Sequence, residues 1–115
     1  MKRLKTLLPS LKERKRYLVF EIESETDFSD FKIISKAVKS NILKFLGEFS
    51  AAKAGIKILP NTWTGNKCII KINNKYVDQV KSALTLIETI DNNKIIFKNI
   101  GVSGTIKGTE RFMAS

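Results

Sequence analysis

The side chains best suited to chemistry in this sequence are cations gathered just before the first apolar segment. They are Lys12, Arg14, Lys15 and Arg16, interrupted only by Glu13. An arginine guanidinium can bind phosphate through two parallel hydrogen bonds, whereas a lysine ammonium acts as a point charge. The cluster predicts contact with a polyanion, and the capping-box spacing of Ser10 and Glu13 predicts a helical turn that would fix its direction. The alternative is a solvated basic edge that discourages strand aggregation.

A second candidate phosphate site lies near the other end of the sequence. It is the string Gly101-Val102-Ser103-Gly104-Thr105-Ile106-Lys107, followed by Arg111. Backbone N–H groups around Gly104 and the hydroxyls of Ser103 and Thr105 can contact phosphate, with Lys107 and Arg111 alongside. The string is not a Walker loop, because the Gly-Lys-Ser/Thr ending is missing. Its alternative role is a glycine-permitted bend out of a strand.

Net charge is concentrated at the two ends of the sequence. Residues 1–16 carry +6 and residues 92–115 carry +3, whereas ten bases and nine acids lie between them. A nearly neutral body with two basic ends is the layout expected where a folded domain meets a polyanion. We therefore divide one predicted domain, 1–115, into a basic arm (1–16), an α/β body (17–100) and a Gly-Ser/basic segment (101–115).

Composition argues against catalysis by this chain. There is no histidine, so the usual general base and the commonest metal ligand are absent. The acids from Glu21 to Asp30 are the densest group, but most of them precede a predicted helix, where acids favour the positive end of the helix dipole. Cys68 lies in an apolar strand without an activating partner and is expected to be inert. We predict no catalytic residue and no metal site in the chain itself.

The composition also indicates a cytoplasmic location. One cysteine excludes an internal disulfide and fits a reducing compartment. No stretch approaches the ~20 apolar residues of a membrane span.

The periodicity of apolar residues predicts the elements that position these groups. The order is a strand at 17–23, a helix capped by Thr26 or Ser29 and ending at Gly47, strands at 56–59 and 67–72, a helix capped by Asn73 or Asn74, and a strand from 94 to about 100. Its first helix has an apolar stripe that includes Phe45. This β-α-β-β-α-β order predicts an α+β, ferredoxin-like (RRM-like) sandwich: a four-stranded antiparallel sheet with helices on one face.

Several predicted strands are apolar on both faces, although a two-layer fold leaves one sheet face open. The open face is expected to contact another protein or a second copy of the chain through Tyr17, Val19 and Phe97. The alternative is that these strands lie deep in the sheet centre.

Base stacking on the sheet is not expected. An RRM carries an aromatic-rich octamer on its third strand, but here that strand reads Asn66-Lys67-Cys68-Ile69-Ile70-Lys71-Ile72-Asn73. RNA binding would therefore come from edges and ends. Trp63, in the polar connection before this strand, is either an anchor on the body, which we favour, or an exposed stacking platform.

The strings Arg16-Tyr17-Leu18-Val19-Phe20-Glu21-Ile22 and 101–107, in this order around a ferredoxin-like body, resemble the family of archaeal ribonuclease P protein component 2 and its eukaryotic ribonuclease P/MRP relatives. The resemblance covers essentially the whole chain. It implies a non-catalytic subunit that binds ribonuclease P RNA, which itself removes the 5′ leader of precursor tRNA with Mg²⁺. It also implies pairing with a barrel-shaped protein subunit, and self-association within a heterotetramer. The alternative function is a ferredoxin-like interaction module or regulatory dimer without an RNA role.

Overall fold

The computed structural model describes residues 14–25, 30–64 and 66–113. Its strands are β1 (Lys15–Glu23), β2 (Lys57–Leu59), β3 (Lys67–Asn73), β4 (Thr89–Ile90), β5 (Asn93–Lys94) and β6 (Ile96–Ser103). Its helices are α1 (Phe31–Ala54), α2 (Val77–Thr85) and α3 (Glu110–Met113), with 3₁₀ turns at Pro60–Thr62, Asn74–Tyr76 and Lys107–Thr109. The predicted Ser10–Glu13 turn and the N-caps Thr26 and Ser29 lie outside the described residues.

The main sheet has the strand order β2-β3-β1-β6, and every neighbouring pair is antiparallel. The predicted ferredoxin-like architecture is therefore confirmed. The short strands β4 and β5 pair separately as a hairpin before β6. Because β1 is central, residues at its beginning lie beside the ends of both β3 and β6.

The main core lies between the sheet and the two longer helices. Alternate residues of β1, Leu18, Phe20 and Ile22, face it, as do Cys68, Ile70 and Ile72 of β3. The helices contribute Ile34, Val38 and Ile42 from α1 and Val80, Ala83 and Leu84 from α2. This strict alternation is what a half-buried strand requires, and it assigns the odd-numbered residues of β1 and β3 to the outer face of the sheet.

Helix α1 begins at an Asp30 cap, whose carboxylate accepts a hydrogen bond from the Lys32 amide at 2.9 Å. Gly47, with φ +85° and ψ 163°, interrupts the helical geometry, as the sequence predicts, but the chain resumes a helix up to Ala54. Phe45, expected on the buried stripe, is instead 48% exposed just before this break.

Phe97 belongs to the core and not to an open face, so its expected position is wrong. Its ring lies 5.2 Å from that of Phe20, and it is paired with Ile22. The cause is a bulge: Val19 pairs with Gly101 but Phe20 pairs with Asn99, so Ile100 is an extra residue in β6. An extra residue reverses which side chains face outward, and this turns Phe97 toward the helices.

The outer face of the sheet is covered by the C-terminal segment 107–113. A Cβ placed on Gly101 would lie 2.4 Å from the Phe112 ring, so this ring lies directly on the glycine. Val19 is the pairing partner of Gly101 and has no exposed surface, and the next residue across, Ile69, is 2% exposed. Lys67 donates from Nζ to the Phe112 carbonyl at 3.2 Å. The expectation that Val19 lies on an open face is therefore wrong, whereas Tyr17 remains half-buried at the edge of the covered area.

Among the described residues, no helix combines the length and the apolar character needed to cross a membrane.

Candidate nucleic-acid interface

The two strings singled out in the sequence meet at one end of the sheet. Tyr17 pairs with Ser103, so the beginning of β1 lies beside the end of β6. The Arg16 guanidinium comes within 3.6 Å of the position that a Cβ on Gly104 would occupy. Residues far apart in the sequence therefore form one surface, an arrangement that the sequence analysis did not predict.

The N-terminal cations are held against the sheet. The Arg14 carbonyl accepts a hydrogen bond from the Asn74 amide at 2.8 Å, and Arg16 Nη1 donates to the Lys15 carbonyl at 3.2 Å. Lys15 donates from Nζ to Asn73 Oδ1, and an ammonium keeps two further N–H groups for another acceptor. Lys12 lies outside the described residues. From Arg14 onward the cluster is thus held in place at the beginning of the central strand β1, and its contact with RNA stays a prediction.

The Gly-Ser loop is stabilised by its own hydroxyl groups. Ser103 Oγ accepts from the Thr105 amide at 3.2 Å, and Thr105 Oγ1 accepts from the Gly108 amide at 3.0 Å. These bonds occupy two of the amides that a phosphate could have used. Each hydroxyl keeps its own proton as a donor, because a serine or threonine oxygen can donate and accept at once.

Gly108 is sterically restricted in this loop, and Gly104 is not. A Cβ on Gly108 would lie 2.1 Å from Ser103 Oγ, whereas the nearest atom to a Cβ on Gly104 is 3.6 Å away. We expect Gly108→Ala to lower the free energy of unfolding by about 1–3 kcal/mol, because Ser103 must give up its bond to Thr105 or the backbone must shift. Gly104→Ala, the matched control, should change it by less than about 0.5 kcal/mol. Urea unfolding measures both, and equal stabilities would contradict the loop geometry.

A row of residues on the outer face extends this surface across the sheet. Successive Cα partners are Lys57, Lys71, Tyr17 and Ser103, so the four side chains stand on the same face. Lys57 is exposed and Lys71 is half-buried. Like charges directly opposite each other are destabilising unless an anion lies close by. The sequence analysis missed both lysines because it counted them in a neutral body; only the strand register places them beside the terminal cations.

We call this surface the basic end: Arg14, Lys15, Arg16, Lys57, Lys71 and the loop 103–107. The opposite end of β1 carries Glu21 and Glu23, whose carboxylates have polar partners. Glu21 accepts from Asn66 at 3.1 Å, and Glu23 accepts from Lys98 Nζ at 2.9 Å. The hydrogen bond to Glu23 raises the pKa of Lys98. The ends of the sheet therefore differ in charge, as needed to orient the molecule on a polyanion.

The sequence was compared with protein families and with known proteins. The model of the Rpp14/Pop5 family matches residues 16–114, a span that contains both strings. Ribonuclease P protein component 2 of Pyrococcus horikoshii is 39% identical over 114 residues, covering 96% of this chain and 92% of that protein. The Pyrococcus furiosus protein of the same name is 42% identical over 112 residues, covering 95% and 90%. The protein of that name from Methanosarcina mazei is 35% identical over 111 residues, covering 96% and 93%.

The chain belongs to the Rpp14/Pop5 family. This confirms the resemblance drawn from the two strings. A chain in the cryo-EM structure of yeast ribonuclease MRP aligns with a TM-score of 0.63 at 12% identity, covering 82% of this chain and 76% of that one. At such identity the likeness concerns the fold alone, and it agrees with the ferredoxin-like sheet.

Two other side chains singled out in the sequence of this Rpp14/Pop5 protein, Trp63 and Cys68, pack in or against the core. Trp63 is half-buried against the core, with its ring 5.9 Å from that of Phe31, and this supports the anchor interpretation. Cys68 is fully buried, and burial raises the pKa of its thiol, which disfavours the reactive thiolate.

The last two predicted phosphate contacts, Lys107 and Arg111, have different surroundings. The Arg111 guanidinium lies 4.8 Å from the centre of the Phe112 ring, so it is directed onto the covering segment, while Lys107 is exposed at the loop. Within the described residues, no group of three or more potential metal ligands comes together.

Proposed function

We propose that this chain is a non-catalytic, RNA-binding protein subunit of ribonuclease P, which supports the catalytic RNA in removing the 5′ leader of precursor tRNA in the cytoplasm. The observation that carries the proposal is membership of the Rpp14/Pop5 family, with relatives named ribonuclease P protein component 2 that match almost end to end. The basic end supplies a physical basis, since grouped cations that replace counterions provide most of the non-specific affinity for nucleic acid.

The chemistry is proposed to belong to the RNA and its Mg²⁺. Folding such an RNA brings phosphates together, and protein cations can supply part of the screening that Mg²⁺ otherwise provides. The hydrogen bonds that hold the beginning of β1 in place support this role for Arg14, Lys15 and Arg16. Ser103, Gly104, Thr105, Lys107 and Arg111 stay proposed contacts of the same RNA.

Pairing with a barrel-shaped protein subunit and self-association are further parts of the proposal. Large apolar side chains flank Gly47 and are strongly exposed: Leu43 is 46%, Phe45 48% and Phe49 74% exposed. A group of exposed apolar residues of this size is typical of a protein contact. These residues replace Val19 and Phe97 as the proposed place for it, while a contact at Tyr17 stays a prediction.

The deciding experiment is cleavage of precursor tRNA by a ribonuclease P RNA at low Mg²⁺. We expect cleavage to require less Mg²⁺ when this chain and the barrel-shaped subunit are both present, and no cleavage by RNA-free protein. An unchanged Mg²⁺ requirement would contradict the proposed role. Mg²⁺-dependent cleavage by rigorously RNA-free protein would contradict the non-catalytic role.

The alternative, an interaction module without RNA function, predicts a different response to salt. Counterion release makes RNA affinity fall steeply as ionic strength rises, whereas apolar dimerisation responds weakly. The dependence of complex formation on salt therefore separates the two functions.

A further inference from the structure

A stripe of three lysines runs along the exposed side of α1, in the helical layer and away from the outer sheet face. Lys32, Lys36 and Lys39 are spaced i, i+4, i+7, which places them on one face of the helix, and all three are exposed. Seven residues at 1.5 Å per residue separate the first and last by about 10 Å. Ser35 and Ser40 line the same shallow groove of about 540 Å³.

No acid lies in the part of α1 that carries this stripe, before the break at Gly47. Residues 31–47 contain four lysines and no acid. Glu48 follows the break and lines a shallow pocket with Lys39, but among the described residues no ion pair joins a carboxylate to Lys32, Lys36 or Lys39. Neighbouring like charges at i, i+4 and i, i+3 destabilise a helix. The stripe therefore bears a repulsion that no ion pair within the described residues relieves, and a bound polyanion would relieve it.

We infer that this stripe binds the phosphate backbone of a second segment of the RNA, distinct from the segment at the basic end. The inference rests on the proposed function and extends it, because the protein would then contact RNA from both of its layers. A nucleic-acid strand carries a negative charge every few ångströms, about 3.4 Å per strand of duplex, so three ammonium groups spread over about 10 Å can meet different phosphates. Lysine, as a compact point charge on a flexible stem, suits phosphate contacts that do not read sequence.

The test compares two full-length triple variants with the same change in net charge. Lys32→Gln, Lys36→Gln and Lys39→Gln remove the stripe; Lys44→Gln, Lys81→Gln and Lys94→Gln remove three lysines outside it. Glutamine has nearly the helix propensity of lysine, so the helix is preserved. The probe is a ribonuclease P RNA, with affinity measured across a salt series.

We expect the stripe variant to lose affinity on the order of 50- to 150-fold near 0.15 M salt, and its log–log salt slope to fall by about two units. The control variant should lose less than about fivefold, through long-range charge alone. Thermal unfolding supplies the second readout. The stripe variant should melt at the same temperature as the wild type or a few degrees higher, because two like-charge pairs are gone.

An affinity and slope equal to those of the control would overturn the inference while leaving the proposed function intact, since the wild type would still bind the RNA. Loss of assembly with the protein subunit, with RNA affinity kept, would overturn it in favour of an acidic protein partner. A wild-type chain that fails to bind the RNA would overturn both proposals.

Discussion

Changing Arg14, Lys15 and Arg16 together to alanine is expected to weaken binding of ribonuclease P RNA on the order of 100-fold near 0.15 M salt. The three cations lie at the beginning of β1, where they form the basic end together with Lys71 and the loop 103–107. If each contacts a phosphate, the log–log salt slope should fall by two to three units, roughly 0.7–0.9 per contact. Filter binding across a salt series measures both quantities.

The control for this experiment must separate a lost contact from lost charge and from lost structure. The change of Lys44, Lys81 and Lys94 to alanine removes the same charge elsewhere and should leave the slope within about half a unit. Lys15→Ala also removes a hydrogen bond to Asn73, so circular dichroism and urea unfolding are needed on the triple variant. Unchanged affinity in a folded triple variant would eliminate the N-terminal cluster as an RNA contact.

Val19→Glu is expected to abolish stable folding of the isolated chain. Val19 has no exposed surface, because it lies under the covering segment that includes Phe112. The change removes the burial of an aliphatic side chain, about 1.5–3 kcal/mol, and adds several kcal/mol for desolvating an unpaired carboxylate. That sum approaches the 5–15 kcal/mol of an ordinary domain. Urea unfolding followed by circular dichroism is the measurement.

Ile96→Glu is the matched control, since Ile96 is 59% exposed and pairs with Glu23 at the far end of β6. It should lower the free energy of unfolding by less than about 1 kcal/mol, including the cost of a second carboxylate opposite Glu23. A Val19→Glu variant that folds as well as Ile96→Glu would show that the outer face is open in solution.

Local pattern was sufficient to predict the main elements. The alternation of Leu18, Phe20 and Ile22, and the three-four spacing of Ile34, Val38 and Ile42, reflect periods that burial imposes on strands and helices. Gly47 also marked a true break in the chain. Such signals are contained within a few residues, so a single sequence is enough to interpret them. The expected cap of the second helix was wrong: α2 begins at Val77 after Tyr76, and the Asn73 side chain instead bonds Lys15 and the Lys53 carbonyl.

The errors at Val19 and Phe97 arose from interactions that no local pattern contains. Phe97 and Gly101 are both odd-numbered and four residues apart, yet the extra residue Ile100 puts them on opposite faces. Val19 is fully buried beside Gly101, and the Phe112 ring that lies on Gly101 comes from the other end of the sequence. A bulge and a returning segment both have to be known before the faces of these strands can be assigned.

Only part of the basic end could be predicted, because the rest depends on which strands are neighbours in the sheet. The terminal cations stand out as runs of charge, but Lys57 and Lys71 are separated in sequence and join them only through strand register. A neutral count over residues 17–91 concealed the fact that strand register places Lys57 and Lys71 beside the terminal cations, at the end of the sheet away from Glu21 and Glu23.

Because β1 is central, the basic end forms only after both β3 and β6 have paired with it. Its neighbours are β3 and β6, and the pair that completes the basic end joins residues 17 and 103. Pairings so distant along the chain close large loops and make folding slow, in the millisecond-to-second range typical of non-local sheets. A chain still being translated has its N-terminal cations but not β6 beside them. A nascent or truncated polypeptide would therefore lack the assembled surface, and the RNA would select finished protein over fragments of it.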